Sequence, residues 1–276
     1  MNSDQLKNLL QRYQLKPNFT YGQNFLLDDI VLQDIVDAAE VNQNDAVLEI
    51  GPGVGNLTRY LLDKAGFVLS VEKDPKFYPL LKSIKKDYPN NFRFEIADAL
   101  DFNFQEFFKE QGFNSYKVVA NIPYYITGKI LQMLMAAEFK PASVIILTQK
   151  EVAENVTAKV GDLSLLPISV QLYGEPKLIM KVPARSFYPA PKVDSAVLKI
   201  DLFKRPKYKI EDEKKFFKLL RACFAGKRKQ IHNTLANNLK LNKDRVDKIL
   251  RETKINPAAR PQELSIEQWI SLSEKI

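Results

Sequence analysis

The chain is poor in the residues that build disulfides and metal centres. Its 276 residues include one cysteine, Cys223, and one histidine, His232. A lone cysteine excludes an internal disulfide, and the pair excludes a multi-Cys/His zinc site and an iron–sulfur centre, so no metal is expected. A Ser-His-Asp hydrolase would have to rest on His232 alone. No apolar run approaches the roughly 18 residues of a membrane span. Met1-Asn2-Ser3-Asp4-Gln5-Leu6-Lys7 holds an early acid and no apolar signal region, so neither a leader nor a membrane partner is expected. Such sparse cysteine suits a reducing cytoplasm. Apolar residues are not scarce. At 45% hydrophobic, the chain has enough of them for a real core and is no candidate for disorder.

Acid is scarce in one place only. Residues 1–200 hold 22 Lys+Arg and 23 Asp+Glu, whereas residues 201–276 hold 19 and 10. The whole net charge of +8 therefore comes from the last quarter. Such a skew points to a polyanionic partner. A Pro- and Lys-rich joint, Phe203-Lys204-Arg205-Pro206-Lys207, marks where the charge changes. It divides the chain into expected domains 1–203 and 204–276.

The first domain alternates two periodicities. Apolar runs of strand length occur at 46–50, 67–71, 92–97, 117–120 and 143–147. Helical patterns occur at 29–41, 56–64, 76–87 and 129–137, and an aromatic-rich segment spans 102–113. In the first helix Ile30, Val31, Ile35, Val36 and Ala39 form the apolar stripe. This rhythm predicts a parallel sheet with helices on both faces. Residues 168–173, 177–182 and 195–202 then read as strands that end the sheet antiparallel. The second domain reads as helices at about 211–225, 228–238, 243–251 and 265–274.

Glu49-Ile50-Gly51-Pro52-Gly53-Val54-Gly55 joins a strand to a helix. Glycines there permit a tight turn and close approach of backbone to ligand. Glu72 closes the next strand, at the distance from Gly51 where an acid suits a ribose diol. NAD is one occupant of such a loop, and an NAD-dependent oxidoreductase is one alternative. Asp98 follows the third strand, however, so acids stand at three successive strand ends: Glu49, Glu72 and Asp98. Together they would surround a cationic, adenosine-bearing ligand. S-adenosylmethionine fits, with its positive sulfonium, its ribose and its adenine amine. Gly51, Glu72 and Asp98 are the expected cofactor contacts.

Asn121-Ile122-Pro123-Tyr124 ends the fourth strand. It resembles the (Asn/Asp)-x-Pro-(Tyr/Phe) motif of methyltransferases that act on nucleobase amines. The amine lone pair of adenine is delocalised into the ring and is a poor nucleophile. Carbonyls from Asn121 and Ile122 would accept its hydrogens and bind it more tightly as it becomes positive. Tyr124 would stack on an extruded base. Gly22-Gln23-Asn24-Phe25-Leu26 resembles the N-terminal cofactor motif of the same group, which implies cofactor contacts from Asn24 and Leu26, and Asn121 lines that site too. Phe187-Tyr188-Pro189-Ala190-Pro191-Lys192-Val193-Asp194-Ser195 resembles its F-x-P-x-P-K-V-x-S segment, which implies a second stacking ring from Phe187.

On these motifs, from about Gly22 to Trp269, the chain resembles the ribosomal RNA adenine N6-dimethyltransferases. The tail favours the housekeeping small-subunit branch (KsgA type) over the large-subunit resistance branch (Erm type). Phe224-Ala225-Gly226-Lys227-Arg228-Lys229-Gln230-Ile231-His232-Asn233-Thr234-Leu235 is similar to the F-x-x-R-R-K-x-I/L-x-N-x-L helix of that branch, and 260–265 to its R-P-E-x-L-S segment. One departure stands out. The Lys/Arg pair that the family often carries before Gly-Gln-Asn-Phe-Leu is replaced by Pro17-Asn18-Phe19-Thr20-Tyr21.

The resemblance implies a Rossmann-like class I S-adenosylmethionine methyltransferase sheet, α/β in class, with a small C-terminal all-α domain. It implies two methyl transfers to N6 of each of two adjacent adenines near the 3′ end of small-subunit rRNA. The partner would be an assembling small subunit, in ribosome biogenesis, and the enzyme a monomer. Lys227, Arg228 and Lys229, beside Lys218 and Arg221, are the expected phosphate contacts. His232 is either a further phosphate contact or a bystander, and Cys223 reads as buried filler. Large-subunit methylation and a noncatalytic RNA-binding assembly role remain as alternatives.

Overall fold

A computed structural model describes residues 1–226 and 228–276; the expected RNA contact Lys227 lies outside the described residues. The helices are α1 (Ser3–Arg12), α2 (Asp29–Ala38), α3 (Asn56–Leu62), α4 (Tyr78–Asp87), α5 (Phe104–Glu110), α6 (Thr127–Ala136), α7 (Lys150–Val156), α8 (Leu165–Gln171), α9 (Glu213–Phe224), α10 (Ile231–Asn238), α11 (Lys243–Glu252) and α12 (Ile266–Lys275). The strands are β1 (Phe25–Leu26), β2 (Ala46–Ile50), β3 (Phe67–Glu72), β4 (Phe92–Ile96), β5 (Lys117–Asn121), β6 (Ser143–Gln149), β7 (Gly174–Val182), β8 (Phe187–Tyr188) and β9 (Ser195–Leu202). Among the described residues no helix is long and apolar enough to cross a membrane.

The chain divides into two compact units. One comprises Met1–Ala153 with Glu175–Leu202, the other Glu154–Gly174 with Phe203–Ile276. Their junction at 202/203 lies at the expected Pro- and Lys-rich joint. The second unit, however, also takes residues 154–174, which the sequence assigned to the first domain.

The first unit is built on a seven-stranded sheet ordered β4-β3-β2-β5-β6-β9-β7. β2, β3, β4, β5 and β6 run parallel, in registers such as Leu48↔Leu69, Leu48↔Val118 and Ala120↔Ile146. β9 pairs antiparallel with β6, Ile146 facing Leu198. β2 and β3 are buried along their full length. A parallel sheet covered on both faces requires such continuous apolar runs. Val47, Val68, Val119 and Ile145 join a core with Leu32 and Ile35 of α2, Leu61 of α3 and Ile84 of α4. The intervening strand residues point to the other face, as the two-residue strand period demands. From β2 the chain builds outward through β3 and β4, then returns to place β5 on the other side of β2. The carboxyl ends of β2 and β5 therefore flank the point where the winding reverses, the usual crevice for a ligand in an open α/β sheet.

Local chemistry sets the helix ends. Asp28 caps α2 by accepting from the amides of Ile30 and Val31, a favourable use of two otherwise unpaired donors. Ile30 itself is 75% exposed. It therefore leaves the stripe the sequence assigned to it, while Val31, Ile35, Val36 and Ala39 are buried.

The second unit packs α8 to α12 around Ile168, Phe216, Leu220, Ile231, Leu250 and Trp269. Residues 168–173, expected as a strand, belong largely to α8. Val170 and Ile168 favour strands, but Leu165, Ile168 and Leu172 fall at helical spacing toward this core. Pro167 sits in the first turn of the helix, where no amide is needed. A capping box between Ser265 and Gln268 opens α12.

Candidate active site

The cleft at the carboxyl ends of β2, β3 and β5 opens to solvent. Its walls include Asn24, Leu26, Gly51, Glu72, Asp98 and Asn121, the full expected set of cofactor contacts. Leaving β2, the chain turns at Gly51 and Gly53 with φ of +72° and +53°, a backbone that side chains rarely adopt. The Gly51 amide donates to the Val71 carbonyl at 2.9 Å, so the turn is tied to β3.

Glu72 is the next tie. Its Oε2 accepts from the Gly53 amide at 3.0 Å, and its Oε1 from the Asp74 amide at 2.9 Å. A carboxylate has about four acceptor sites in all, so these amides leave capacity for a ligand diol. Burial pushes the Glu72 carboxyl above its ordinary range, against the pull of those amides.

Glu49 is more deeply held, at 1% exposure. Oε2 receives the hydroxyls of Thr58 at 2.7 Å and Ser70 at 2.6 Å. Oε1 has no hydrogen-bond partner among the described residues, and Glu49 lines the cleft. Burial pushes its pKa up to about 7. Asp98 is the opposite case. Its Oδ2 receives the Lys73 ammonium at 2.6 Å and its Oδ1 the Leu100 amide at 3.0 Å. The Lys73 hydrogen bond, first among these, holds the carboxyl below the usual range.

Asn121 ends β5. Its Nδ2 donates to the main-chain carbonyl of Asn24 at 3.1 Å. With the donor end committed, the Oδ1 acceptor is left for the cleft. The same bond holds the N-terminal arm in place. Asn24 Nδ2 donates in turn to the Gly22 carbonyl at 3.2 Å, and Asn56 Nδ2 donates to the Leu26 carbonyl at 2.8 Å. Tyr124 opens the turn that follows. Its hydroxyl lies 2.6 Å from Ser195 Oγ, which pins the half-buried ring, and burial raises its pKa. Ser195 closes the Phe187–Ser195 segment, so two motifs recognised separately meet here.

Phe187 does not join them. Its ring is 4% exposed, belongs to the hydrophobic core and is not part of the cleft wall. β8 pairs antiparallel with β1, Phe187 opposite Leu26, and this pairing buries the ring. The ring that the resemblance implies as a second stacking partner thus lies behind β1 in this structure.

In the second unit Arg228 and Lys229 are exposed between α9 and α10, and Lys218 and Arg221 are exposed on α9. His232 is engaged elsewhere: its Nε2 lies 3.2 Å from Asp247 Oδ1, which links α10 to α11. Cys223 is buried, and burial pushes its thiol up to about 12. Among the cleft residues that the sequence reading did not name as ligand contacts are Lys73, Gln23 and Tyr125. The Tyr124-Tyr125 doublet was the only available signal for the last. Nothing in the local pattern marked Lys73, whose partner Asp98 is distant in sequence.

Fold and cleft together define a class I S-adenosylmethionine methyltransferase. Comparison with known proteins narrows the class. The profile of the family described as "Ribosomal RNA adenine dimethylase" matches residues 14–276, and the chain belongs to that family. It is similar to the ribosomal RNA small subunit methyltransferase A of Dehalococcoides mccartyi (strain CBDB1), with 42% identity over 97% of this chain and 91% of the relative. The protein of the same name from Clostridium botulinum (strain ATCC 19397 / Type A) is 40% identical over 98% of each chain. Among solved structures, a dimethyladenosine transferase from Plasmodium falciparum superposes with a TM-score of 0.76 at 26% identity, covering 90% of this chain and 95% of that one. The 23S rRNA methyltransferase ErmE superposes with a TM-score of 0.70 at 29% identity, covering 91% and 99%.

Proposed function

We propose that this protein transfers methyl groups from S-adenosylmethionine to N6 of two adjacent adenines near the 3′ end of small-subunit (16S) rRNA. It acts as a monomer on an assembling small subunit in the cytoplasm. The curated relatives named for the small subunit support this target over the large-subunit one. The observation that carries the chemistry is the Asn121 amide, its donor end tied to Asn24 and its acceptor end free for an incoming amine.

The residues of the cleft fit the methyl donor. S-adenosylmethionine, when bound, supplies an electrophilic methyl group on a positively charged sulfur. Glu72 offers its remaining acceptor capacity to the ribose diol, and the Gly51–Gly53 turn gives its backbone close approach. Asp98 stays ionised beside Lys73 and accepts from the adenine amine. Glu49 presents its unpaired oxygen as a counter-charge for the cationic end. Asn24 and Leu26 complete the wall.

On the substrate side, Asn121 Oδ1 and the Ile122 carbonyl accept the two N6 hydrogens. Their hold directs the nitrogen lone pair at the methyl carbon. As the N–C bond forms and the C–S bond breaks, positive charge grows on N6, and these fixed carbonyl dipoles bind it more tightly than the neutral amine. The proton then leaves to solvent. Tyr124, pinned through Ser195, stacks on the base. Phe187 acts from behind, by holding β8 against Leu26 of the wall. Lys227, Arg228 and Lys229 grip phosphate from the basic helical unit; such contacts place the RNA and weaken steeply with salt.

The test offers methyl-labelled S-adenosylmethionine with unmethylated small subunits, large-subunit rRNA and small subunits already dimethylated. Label is expected in the first alone, recovered as N6,N6-dimethyladenosine. Asn121→Ala should cut transfer by about 10²–10³-fold, the usual loss when one preorganised transition-state dipole is removed. Label in large-subunit rRNA would move the protein to the resistance branch. Cofactor binding with no label anywhere would favour an assembly factor.

A further inference from the structure

The cleft carries a large aromatic ring that the transfer chemistry does not require. Tyr125 follows Tyr124 in the turn after β5 and is 59% exposed. It lines the cleft with Tyr21 and Lys73. The ring stands near Gly22: a Cβ added there would come into ordinary van der Waals contact with it, 3.5 Å from two of its carbons. Gly22 has a φ of +62°, a backbone that side chains rarely adopt. The Lys73 ammonium stands on Asp98 at 2.6 Å, and that hydrogen bond raises its pKa. Two phenol rings and a cation line the same cleft. The preceding arm, Pro17-Asn18-Phe19-Thr20-Tyr21, holds no basic residue.

We propose that Tyr125, exposed at the cleft wall near Gly22, stacks on the nucleobase adjoining the adenine held in the cleft, and so positions the RNA strand for transfer. The proposal rests on the RNA methylation reading above. Its occupant follows from the geometry of extrusion. Drawing one adenine into the cleft strips its neighbour of a stacking partner, and the chain between the two nucleotides is too short for the neighbour to leave the mouth. A base exposing a flat face meets a phenol exposing one, with the Lys73 cation beside an anionic backbone. Base–aromatic stacking of this kind tolerates any base.

The experiment measures methyl transfer to unmethylated small subunits by native protein and by the Tyr125→Ala, Tyr125→Phe and Tyr21→Ala variants, with S-adenosylmethionine affinity by calorimetry for each. Tyr125→Ala is expected to raise KM for the subunits about five- to one-hundredfold, the worth of one base–aromatic stack. The turnover number should fall much less, and cofactor affinity should hold. Phenylalanine keeps the face and loses only the hydroxyl, so Tyr125→Phe should restore KM. Tyr21→Ala, which leaves Tyr125 in place, should raise KM by a smaller factor. An unchanged KM in Tyr125→Ala overturns the proposal while leaving the activity standing. Equal losses in the Ala and Phe variants, or cofactor affinity falling in step with KM, also overturn it. A native protein that methylates neither subunit refutes the activity itself, and this role with it.

Discussion

Replacing Glu49 with glutamine should stabilise the protein, and the gain should depend on pH. Glu49 is buried, with two hydroxyls on one oxygen and the cleft beside it. Burial raises its pKa from 4.5 to about 7. At about 1.4 kcal/mol per pH unit, that rise is worth about 3 kcal/mol. The folded-state value lies above the unfolded one. Between the two, the folded protein keeps a proton that the unfolded chain has released. Stability therefore declines as pH climbs from about 4.5 to about 7 and is level beyond. Glutamine cannot ionise and keeps a carbonyl for Thr58 and Ser70. The free energy of urea unfolding for Glu49→Gln, less that of the native protein, should be about 3 kcal/mol larger at pH 8 than at pH 4.5. A cationic ligand beside the bare oxygen favours the ionised form. Binding of S-adenosylmethionine below pH 7 should therefore expel a proton from native protein and weaken by up to about tenfold per pH unit, beyond any change seen in Glu49→Gln. A stability difference that is the same at pH 4.5 and pH 8 would refute the reasoning, because it would mean that Glu49 ionises like a solvated carboxyl.

Two further outcomes follow from packing. Gly66→Ala should cost about 1–3 kcal/mol, since its Cβ would run into the Gln43 carbonyl; Gly128→Ala in α6, with nothing near its Cβ, should gain about 0.4–1 kcal/mol, both read from thermal unfolding. Tyr124→Phe loses only the bond to Ser195 and should cost about tenfold or less in turnover, whereas Tyr124→Ala, without a ring to stack, should cost more than that by at least another tenfold; single-turnover transfer distinguishes them.

The parallel sheet was legible because its strands are buried on both faces. Val47-Leu48 and Val68-Leu69 need no polar alternation, and the glycine turn between β2 and α3 has one dominant meaning in that context. Residues 168–173 were misread for the same physical reason: Ile168 and Val170 look like strand, and only the second unit's core reveals that Leu165, Ile168 and Leu172 face one way. α1 went unread, although Asn2 and Gln5 form a capping box at its start. Of the site, the acids at strand ends were visible one by one, but their electrostatics were not. Glu49 and Asp98 are both strand-end carboxylates, yet one is pushed up by enclosure and the other held down by Lys73. Sequence spacing carries no record of which is walled in and which has a cation.

The contact that matters most for chemistry is the least local. Asn121 and Asn24 are 97 residues apart, and their single bond settles two things at once. It seats the arm that carries Asn24 and Leu26, and it decides which end of the Asn121 amide faces the cleft, where the proposed reading places the substrate amine. A side-chain amide is nearly symmetric in shape, and its polarity in a site is set by what its other end touches. Here the other end touches a main-chain carbonyl, which admits only a donor. An aspartate at this position would set a carboxylate against that carbonyl, or need a proton to keep the bond. The acceptor aimed at an incoming amine is thus a property of the folded arm as much as of the motif. A change in the arm that freed the Asn24 carbonyl would let the amide turn its hydrogens toward the substrate, and a donor facing a donor would repel the amine it is meant to hold.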